Sequence, residues 1–463
     1  MIAPVLSYVA RERERILPAG SLRNRFASGL LWSLVSAVGS RGLNVAASLV
    51  CARLMGRAVY GEYGMVQSTV GMLGSFSVLG LGITATRYVA EYRDKDPEKV
   101  ARVLRMSSLA SGASGVLMTA ALLAFAPLIA GRVLASPRLA TPLMLGAAMV
   151  ALNALVAFQN GVLAGFEAFR PMARISLVSG LTSFPLIAIG AWQRGLEGAV
   201  VGTVASLLVN LVLNQRSLRE QYARAGIRPR APDWRREASV FWSFALPAFL
   251  ASFAVTPALW ACNALLANTP GGYAELGVYT AAERWRLALL FVPMTVFRMV
   301  FPMMSNLRGA ADTVRYARLN RANLVVTLVL VTVPALAVGL LARPAMAAFG
   351  TGFAAGWPVL VILTASTIPE ALNTVFGYPL VVGHRMWTRF GFDVVLGVTV
   401  VALGSLLIPR WGAAGLAVAY AAAFTATAAG LFAFTSFHRR ALLPGEPAAA
   451  PAVPPGAAEQ QRG

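Results

Sequence analysis

The chain has 463 residues of which 57% are hydrophobic and 13% charged, a composition outside the range of soluble globular domains. Its 40 Lys and Arg against 19 Asp and Glu give a net charge of +21. In a soluble chain that excess would suggest nucleic acid, but here the basic residues sit between long apolar runs, where they act as topology determinants and lipid-headgroup contacts.

The first 26 residues carry Arg11, Arg13, Arg15, Arg23 and Arg25 interleaved with Glu12 and Glu14. No long apolar core with a cleavage site follows them, so residues 1–26 are expected to be a cytoplasmic lead-in and not a signal peptide. A bilayer core of about 30 Å takes about 20 apolar residues of helix, and about twelve such spans are predicted. Six lie at 27–50, 61–86, 105–126, 142–165, 175–193 and 196–214. Six more lie at 239–262, 276–305, 322–343, 356–381, 388–409 and 412–436. Between the two sets runs the hydrophilic segment 215–238 with its seven arginines, read as a cytoplasmic interlobe linker. Residues 27–214 then form an N-lobe and 239–437 a C-lobe. The Pro-, Ala- and Gly-rich stretch 438–463 is expected to be a disordered cytoplasmic tail.

Twenty-nine Lys and Arg fall on the side of the termini and of the linker, against seven on the other. By the positive-inside rule both termini are cytoplasmic, which requires an even number of spans. Cys51 and Cys262 lie at predicted span ends; two cysteines make no framework and have no assigned role.

The halves also match residue by residue. At an offset of 216, Gly61 and Tyr63 correspond to Gly277 and Tyr279, and Ala101, Arg102 and Arg105 to Ala317, Arg318 and Arg321. Gly195 and Gly198 match Gly412 and Gly415 at 217, and Gly165 matches Gly383 at 218. A six-plus-six repeat with an even number of spans per half is a parallel repeat about an axis along the membrane normal. Transporters built this way bind substrate near the midplane.

Leu54 to Arg93 contains Gly56, the run Tyr60-Gly61-Glu62-Tyr63-Gly64, Gly80-Leu81-Gly82 and the run Thr86-Arg87-Tyr88-Val89-Ala90-Glu91-Tyr92. With Phe301-Pro302 and the stretch from Gly195 to Gly202, these residues resemble the polysaccharide-type flippases of the MOP (multidrug, oligosaccharidyl-lipid and polysaccharide) exporter superfamily. The resemblance covers residues 25–440 and rests on glycine and aromatic positions. It implies an all-α membrane protein with two six-helix lobes in a V-shaped, MATE-like fold in the bacterial inner membrane. The implied activity is translocation of an undecaprenyl-pyrophosphate-linked oligosaccharide by alternating access, for exopolysaccharide, O-antigen or capsule assembly. The implied partners are that lipid-linked substrate, bilayer lipids, a polysaccharide polymerase and glycosyltransferases, with no cofactor and no nucleic acid.

Signatures of enzymes are absent. His384 and His438 fall at cytoplasmic span ends, and Lys95 and Lys99, the only lysines, are in no glycine-rich phosphate loop. Transport is therefore expected to run on an ion gradient, the membrane potential or consumption of the product.

Charges inside spans cost about 2.5 to 3.5 kcal/mol each on insertion scales and face a cavity or a partner. Arg41, Arg284, Arg286 and Arg298 qualify. Arg298 is expected to snorkel to the cytoplasmic interface. Glu283 and Arg286, three apart, share a helical face and suit an intrahelical ion pair. Arg41 and Arg284 come from different halves at depths of roughly 14 Å and 11 Å. Two guanidiniums at such depth suit a pyrophosphate, because each makes paired, charge-assisted hydrogen bonds to phosphate oxygens; bonding to backbone carbonyls is the alternative. Asn44, one turn after Arg41, can bond sugar or phosphate oxygens. These five residues, Arg41, Asn44, Glu283, Arg284 and Arg286, are the candidate substrate-binding set.

At the 216 offset Glu283 and Arg284 correspond to the neutral Gln67 and Ser68, so charge on span 8 is not explained by the repeat. The N-lobe spans hold no deep acid, which disfavours a multidrug or cation antiporter of the same superfamily; a non-transporting scaffold of an export complex is a further alternative. Glu370, after Pro369, is the candidate coupling residue. As a proton or sodium site, as an ion-pair partner for an arginine, or as a packing residue, it stays open at this level. Asp393 is expected at the interface, and Asn153, Gln159, Asn160 and Asn373 in interhelical hydrogen bonds.

Overall fold

The computed structural model describes residues 22–78, 81–93, 95–227, 246–309, 312–383 and 385–438. The outer parts of the lead-in and tail, the linker beyond position 227 and His384 lie outside the described residues. Helices make up the described chain. They are α1 (Leu22–Val78), α2 (Leu81–Tyr92), α3 (Pro97–Leu128), α4 (Ala140–Gly165), α5 (Phe169–Arg224) and α6 (Leu246–Ala267), followed by α7 (Gly272–Gly309), α8 (Thr313–Leu340), α9 (Ala342–Ala347), α10 (Trp357–Val382) and α11 (Met386–Phe437). Among the described residues six helical stretches, the shortest of 28 residues, are long and apolar enough to cross a membrane. Large apolar side chains such as Leu117, Leu340 and Phe432 are exposed, as expected of surfaces whose solvent is lipid.

α5 and α11 carry two predicted spans each, and α1 carries the first and most of the second, 61–86, whose end falls on α2. α1 breaks at Gly56, with φ 72° and ψ 175°. In α5 the chain reverses at Gly195, φ 56° and ψ −125°, and in α11 at Gly412, φ 53° and ψ −129°. Only glycine reaches this region without strain. The two arms of the α5 hairpin approach so closely that a Cβ on Gly190 would overlap the Gly198 carbonyl and one on Gly202 the Leu186 carbonyl. In α11 a Cβ on Gly415 would overlap the carbonyl of Leu407. Small residues allow such backbone contact in lipid.

The repeat extends to the helix caps. Asp96 accepts a hydrogen bond from the Lys99 amide at the start of α3, at 2.9 Å, and Asp312 accepts from the Arg315 amide at the start of α8, also at 2.9 Å. Asp96 and Asp312 are 216 positions apart. Each satisfies an amide that the first helical turn leaves without an intrahelical partner.

The chain divides into two compact units. One comprises Met1–Thr256, Ala267–Thr280 and Ala348–Gly352; the other comprises Pro257–Leu266, Ala281–Ala347 and Phe353–Gly463. In the first, α1 packs on α4 and α5, and α4 on α2, α3 and α5. In the second, α10 packs on α8, α9 and α11. The first part of the expected linker is helical, since α5 continues to Arg224.

Candidate functional site

α7 carries three of the sequence-derived candidates within four residues, and the second unit brings two of them together with Glu370. Arg286 is 4% exposed. Its Nη1 donates to Glu370 Oε2 of α10 at 2.6 Å and to the Tyr420 hydroxyl of α11 at 2.7 Å, while Nη2 donates to Glu283 Oε1 at 3.1 Å. The guanidinium carbon stands 4.7 Å from the centre of the Tyr420 ring, within cation–π range. Phe424 supports that ring from one turn on, centroid to centroid at 4.6 Å. One guanidinium thus ties three helices by planar, charge-assisted bonds that a lysine could not reproduce.

Two carboxylates, Glu283 and Glu370, bond the Arg286 guanidinium. Glu370 is 13% exposed at its side chain and Glu283 33%, so Glu283 keeps more contact with the surroundings while Glu370 depends on Arg286. Pro369 stands immediately before Glu370 in α10. A proline cannot donate to the carbonyl one turn earlier, and the helix continues through it.

Arg284 is half-buried on the same helix. Two residues correspond to about 200° of helical rotation, so Arg284 and Arg286 leave α7 in nearly opposite directions. Arg41 lies in α1, but its side chain, like that of Arg298, is outside the described residues. Asn44 is exposed and its Nδ2 donates to the Ser40 carbonyl at 2.8 Å, one turn back.

In the first unit the repeat-equivalent positions are neutral. Gln67 Nε2 donates to the Tyr63 hydroxyl at 2.8 Å, and Tyr63 pairs with Thr203 Oγ1 at 3.0 Å. Gln67 corresponds to Glu283 at 216 and Thr203 to Tyr420 at 217. Each half therefore has a polar tie between its second and sixth span, built from uncharged groups in one and from an ionic cluster in the other.

A second ionic group in the same unit went unrecognised in the sequence. Arg389 embraces Asp393, with Nη2 to Oδ1 at 2.7 Å and Nε to Oδ2 at 3.2 Å, and donates to the Asn373 carbonyl at 3.0 Å and Oδ1 at 2.9 Å. Its guanidinium lies on Gly377, where a Cβ would overlap Nη1. Asp393, 15% exposed at its side chain, is thus more enclosed than an interfacial site implies. Tyr420 was also missed. The one available signal was a lone tyrosine in an alanine-rich run, 413–429, whose repeat partner is itself a hydroxyl residue. Gln159 and Asn160 do join helices, to Gln215 at 3.0 Å and Asn214 at 3.1 Å.

Comparison with known proteins places this architecture. The EPS I polysaccharide export inner membrane protein EpsE of Ralstonia nicotianae is 24% identical over 421 residues, covering 87% of this chain and 92% of that protein. Stage V sporulation protein B of Bacillus subtilis is 25% identical over 198 residues, 41% of this chain and 38% of that one. Among solved structures, an inward-facing multidrug resistance MATE transporter of the MOP superfamily superposes with a TM-score of 0.69 at 16% identity, covering 89% of this chain and 98% of the other. The lipid II flippase MurJ in an inward closed conformation also gives 0.69, at 15% identity over 88% and 87% of the two chains. At those identities the structures establish the shared fold. The family model for polysaccharide biosynthesis proteins matches residues 26–308, so the chain belongs to that family.

Proposed function

We propose that this protein is a flippase that moves an undecaprenyl-pyrophosphate-linked oligosaccharide across the bacterial inner membrane by alternating access, with both termini in the cytoplasm. The observation that carries the reading is the charged character of α7 in a multi-pass protein of a polysaccharide biosynthesis family. Arg284 stands half-buried beside a neighbour, Arg286, whose charge is already met by two carboxylates. Arg284, with Arg41 and Asn44 of α1, supplies the anion-binding groups for the pyrophosphate, and the neutral polar groups of the first half suit sugar hydroxyls. Glycosyltransferases on the cytoplasmic side make such a substrate and a polymerase on the far side consumes it.

Energy coupling falls to the Glu283–Arg286–Glu370 cluster. In this reading the coupling proton or sodium ion acts at Glu370. Uptake shifts the balance between two arrangements only through a difference in affinity for them. The direct test is reconstitution into vesicles with a fluorescent undecaprenyl-pyrophosphate-linked oligosaccharide, with quenching by a membrane-impermeant reductant as the readout. Protein-dependent loss of protection supports the reading. Vesicles that stay protected, or that instead exchange organic cations for protons, replace it with a scaffold or a cation antiporter.

A further inference from the structure

A cluster of side-chain amides joins α4 to the second arm of α5, all of it within the first compact unit. Asn214 of α5 is fully buried. Its Nδ2 donates at 3.1 Å to Asn160 Oδ1 of α4 and at 3.1 Å to Asn210 Oδ1 of α5. Beside it the buried Gln159 donates through Nε2 to Gln215 Oε1 at 3.0 Å.

The two bonds from Asn214 decide what the outer amides present. Asn160 is exposed and Asn210 half-buried, and each gives its side-chain oxygen to the buried nitrogen. Their own Nδ2 groups have no acceptor among the described residues. Each carries two N–H donors, so the open side of the cluster is a donor surface. It is not turned to lipid. Val201, Leu208 and Val212 form the exposed apolar stripe of this arm, and Asn210 lies two residues from Leu208 and from Val212, about 200° of rotation from each. Thr203, two turns or about 10 Å before Asn210, shares its side of the helix and bonds the Tyr63 hydroxyl. The amides thus extend the neutral polar face of the first unit.

Holding the helices together does not require this polarity. At an offset of 217, Gln159, Asn214 and Gln215 correspond to Phe376, Leu431 and Phe432. Phe376 of α10 and Phe432 of α11 are in ring contact, centroid to centroid at 5.2 Å, and Phe376 packs on the fully buried Leu431. The second half therefore makes the same joint from apolar groups. In the first half, Asn214 Oδ1 and Gln159 Oε1 are buried and accept no hydrogen bond, which is destabilising. Polarity kept at that cost, with two donors left open, points to a ligand.

We propose that Asn160 and Asn210, aimed by Asn214 as a positioning residue, form a donor pair that recognises a carbonyl oxygen on the carried saccharide, with an acetamido group as the substituent that fits. The proposal rests on the flippase reading above. A hydroxyl both donates and accepts, and a carboxylate is met best by a guanidinium; a pair of neutral donors selects a neutral acceptor.

The probes are fluorescent undecaprenyl-pyrophosphate lipids headed by N-acetylglucosamine or by glucose, in reconstituted vesicles. The unaltered protein should move the acetamido lipid at least about fivefold faster. Asn160→Ala, a change at an exposed position, should bring the two rates within about twofold, chiefly by slowing the acetamido lipid. Asn214→Leu, which copies the residue of the second half, should do the same without loss of the glucose-headed rate. Equal rates in the unaltered protein, or a ratio unmoved by both replacements, overturns the proposal. Binding is read apart from transport by saturation-transfer NMR of N,N′-diacetylchitobiose with the protein in detergent. The acetyl methyl signal should fall at least about threefold with Asn160→Asp, which puts an acceptor in place of a donor. That fall in a protein that moves neither lipid would leave the recognition site standing and discard the flippase reading; a signal unchanged by Asn160→Asp overturns the site.

Discussion

Arg286 of α7 reaches Glu370 of α10 at 2.6 Å, across 84 residues of sequence, and this bond gives the deep carboxylate of Glu370 the ion-pair partner that was one of its open readings. Removing one partner of a buried pair costs about 3–5 kcal/mol because the other charge is stranded. Arg286→Ala should therefore lower the thermal midpoint in detergent well below that of Glu283→Gln, whose partly exposed carboxylate is screened. The triple replacement Arg286→Met, Glu283→Gln, Glu370→Gln should return most of the lost stability. A triple variant no more stable than Arg286→Ala would show that the cluster is not the source of the loss.

Glu370→Gln alone separates coupling from stability. It keeps a hydrogen-bond acceptor for Arg286 and removes the negative charge of the carboxylate. Gradient-driven turnover should fall at least about tenfold while substrate binding stays within about twofold. Normal turnover in vesicles under an imposed gradient would leave the membrane potential or removal of the flipped product as the driving force.

Arg284 tests the sign of the binding wall. Arg284→Ala should abolish flipping, Arg284→Lys should restore it in part because an ammonium keeps the charge and loses the planar fork, and Arg284→Glu should be worst. Unimpaired export by a stably inserted Arg284→Glu protein would remove Arg284 from the site.

Gly195 and Gly412 should respond alike to substitution because they share backbone geometry. An alanine at either position is forced into a region that costs about 1–3 kcal/mol. Gly195→Ala and Gly412→Ala should each lower the thermal midpoint, and by similar amounts. A large effect at one and none at the other would mean that the matching angles do not reflect a shared mechanical role.

The basic-residue distribution carries its own test. Reporter fusions at Gln221 should read cytoplasmic and at Gly271 periplasmic; the reverse pattern would invert the orientation.

That the chain is built of long apolar helices was legible in the sequence because lipid imposes a length and a polarity on each crossing. The repeat was legible because glycines recur where backbones must touch: Gly61 and Gly277 at a helix crossing, Gly195 and Gly412 at hairpin turns. Glu283 with Arg286 was legible as a three-residue spacing. What stayed hidden was pairing across helices. Nothing local to Glu370 points to Arg286, and nothing local to Arg389 points to Gly377 of the preceding helix, since these contacts are set by how helices dock. Likewise Tyr420 reads as one aromatic among small residues until α11 is placed beside α7 and α10.

The hairpins at Gly195 and Gly412 have a consequence for how the protein is made. Each joins two apolar spans through a single residue of left-handed backbone, so almost no polar chain has to be carried to the far side. Arg194 and Arg410 are the only basic residues at the two tips. Each pair can enter the bilayer as a preformed antiparallel unit whose backbone groups are already bonded along its two arms, and a length of sequence inserted at either tip would turn a self-contained insertion event into the export of a loop.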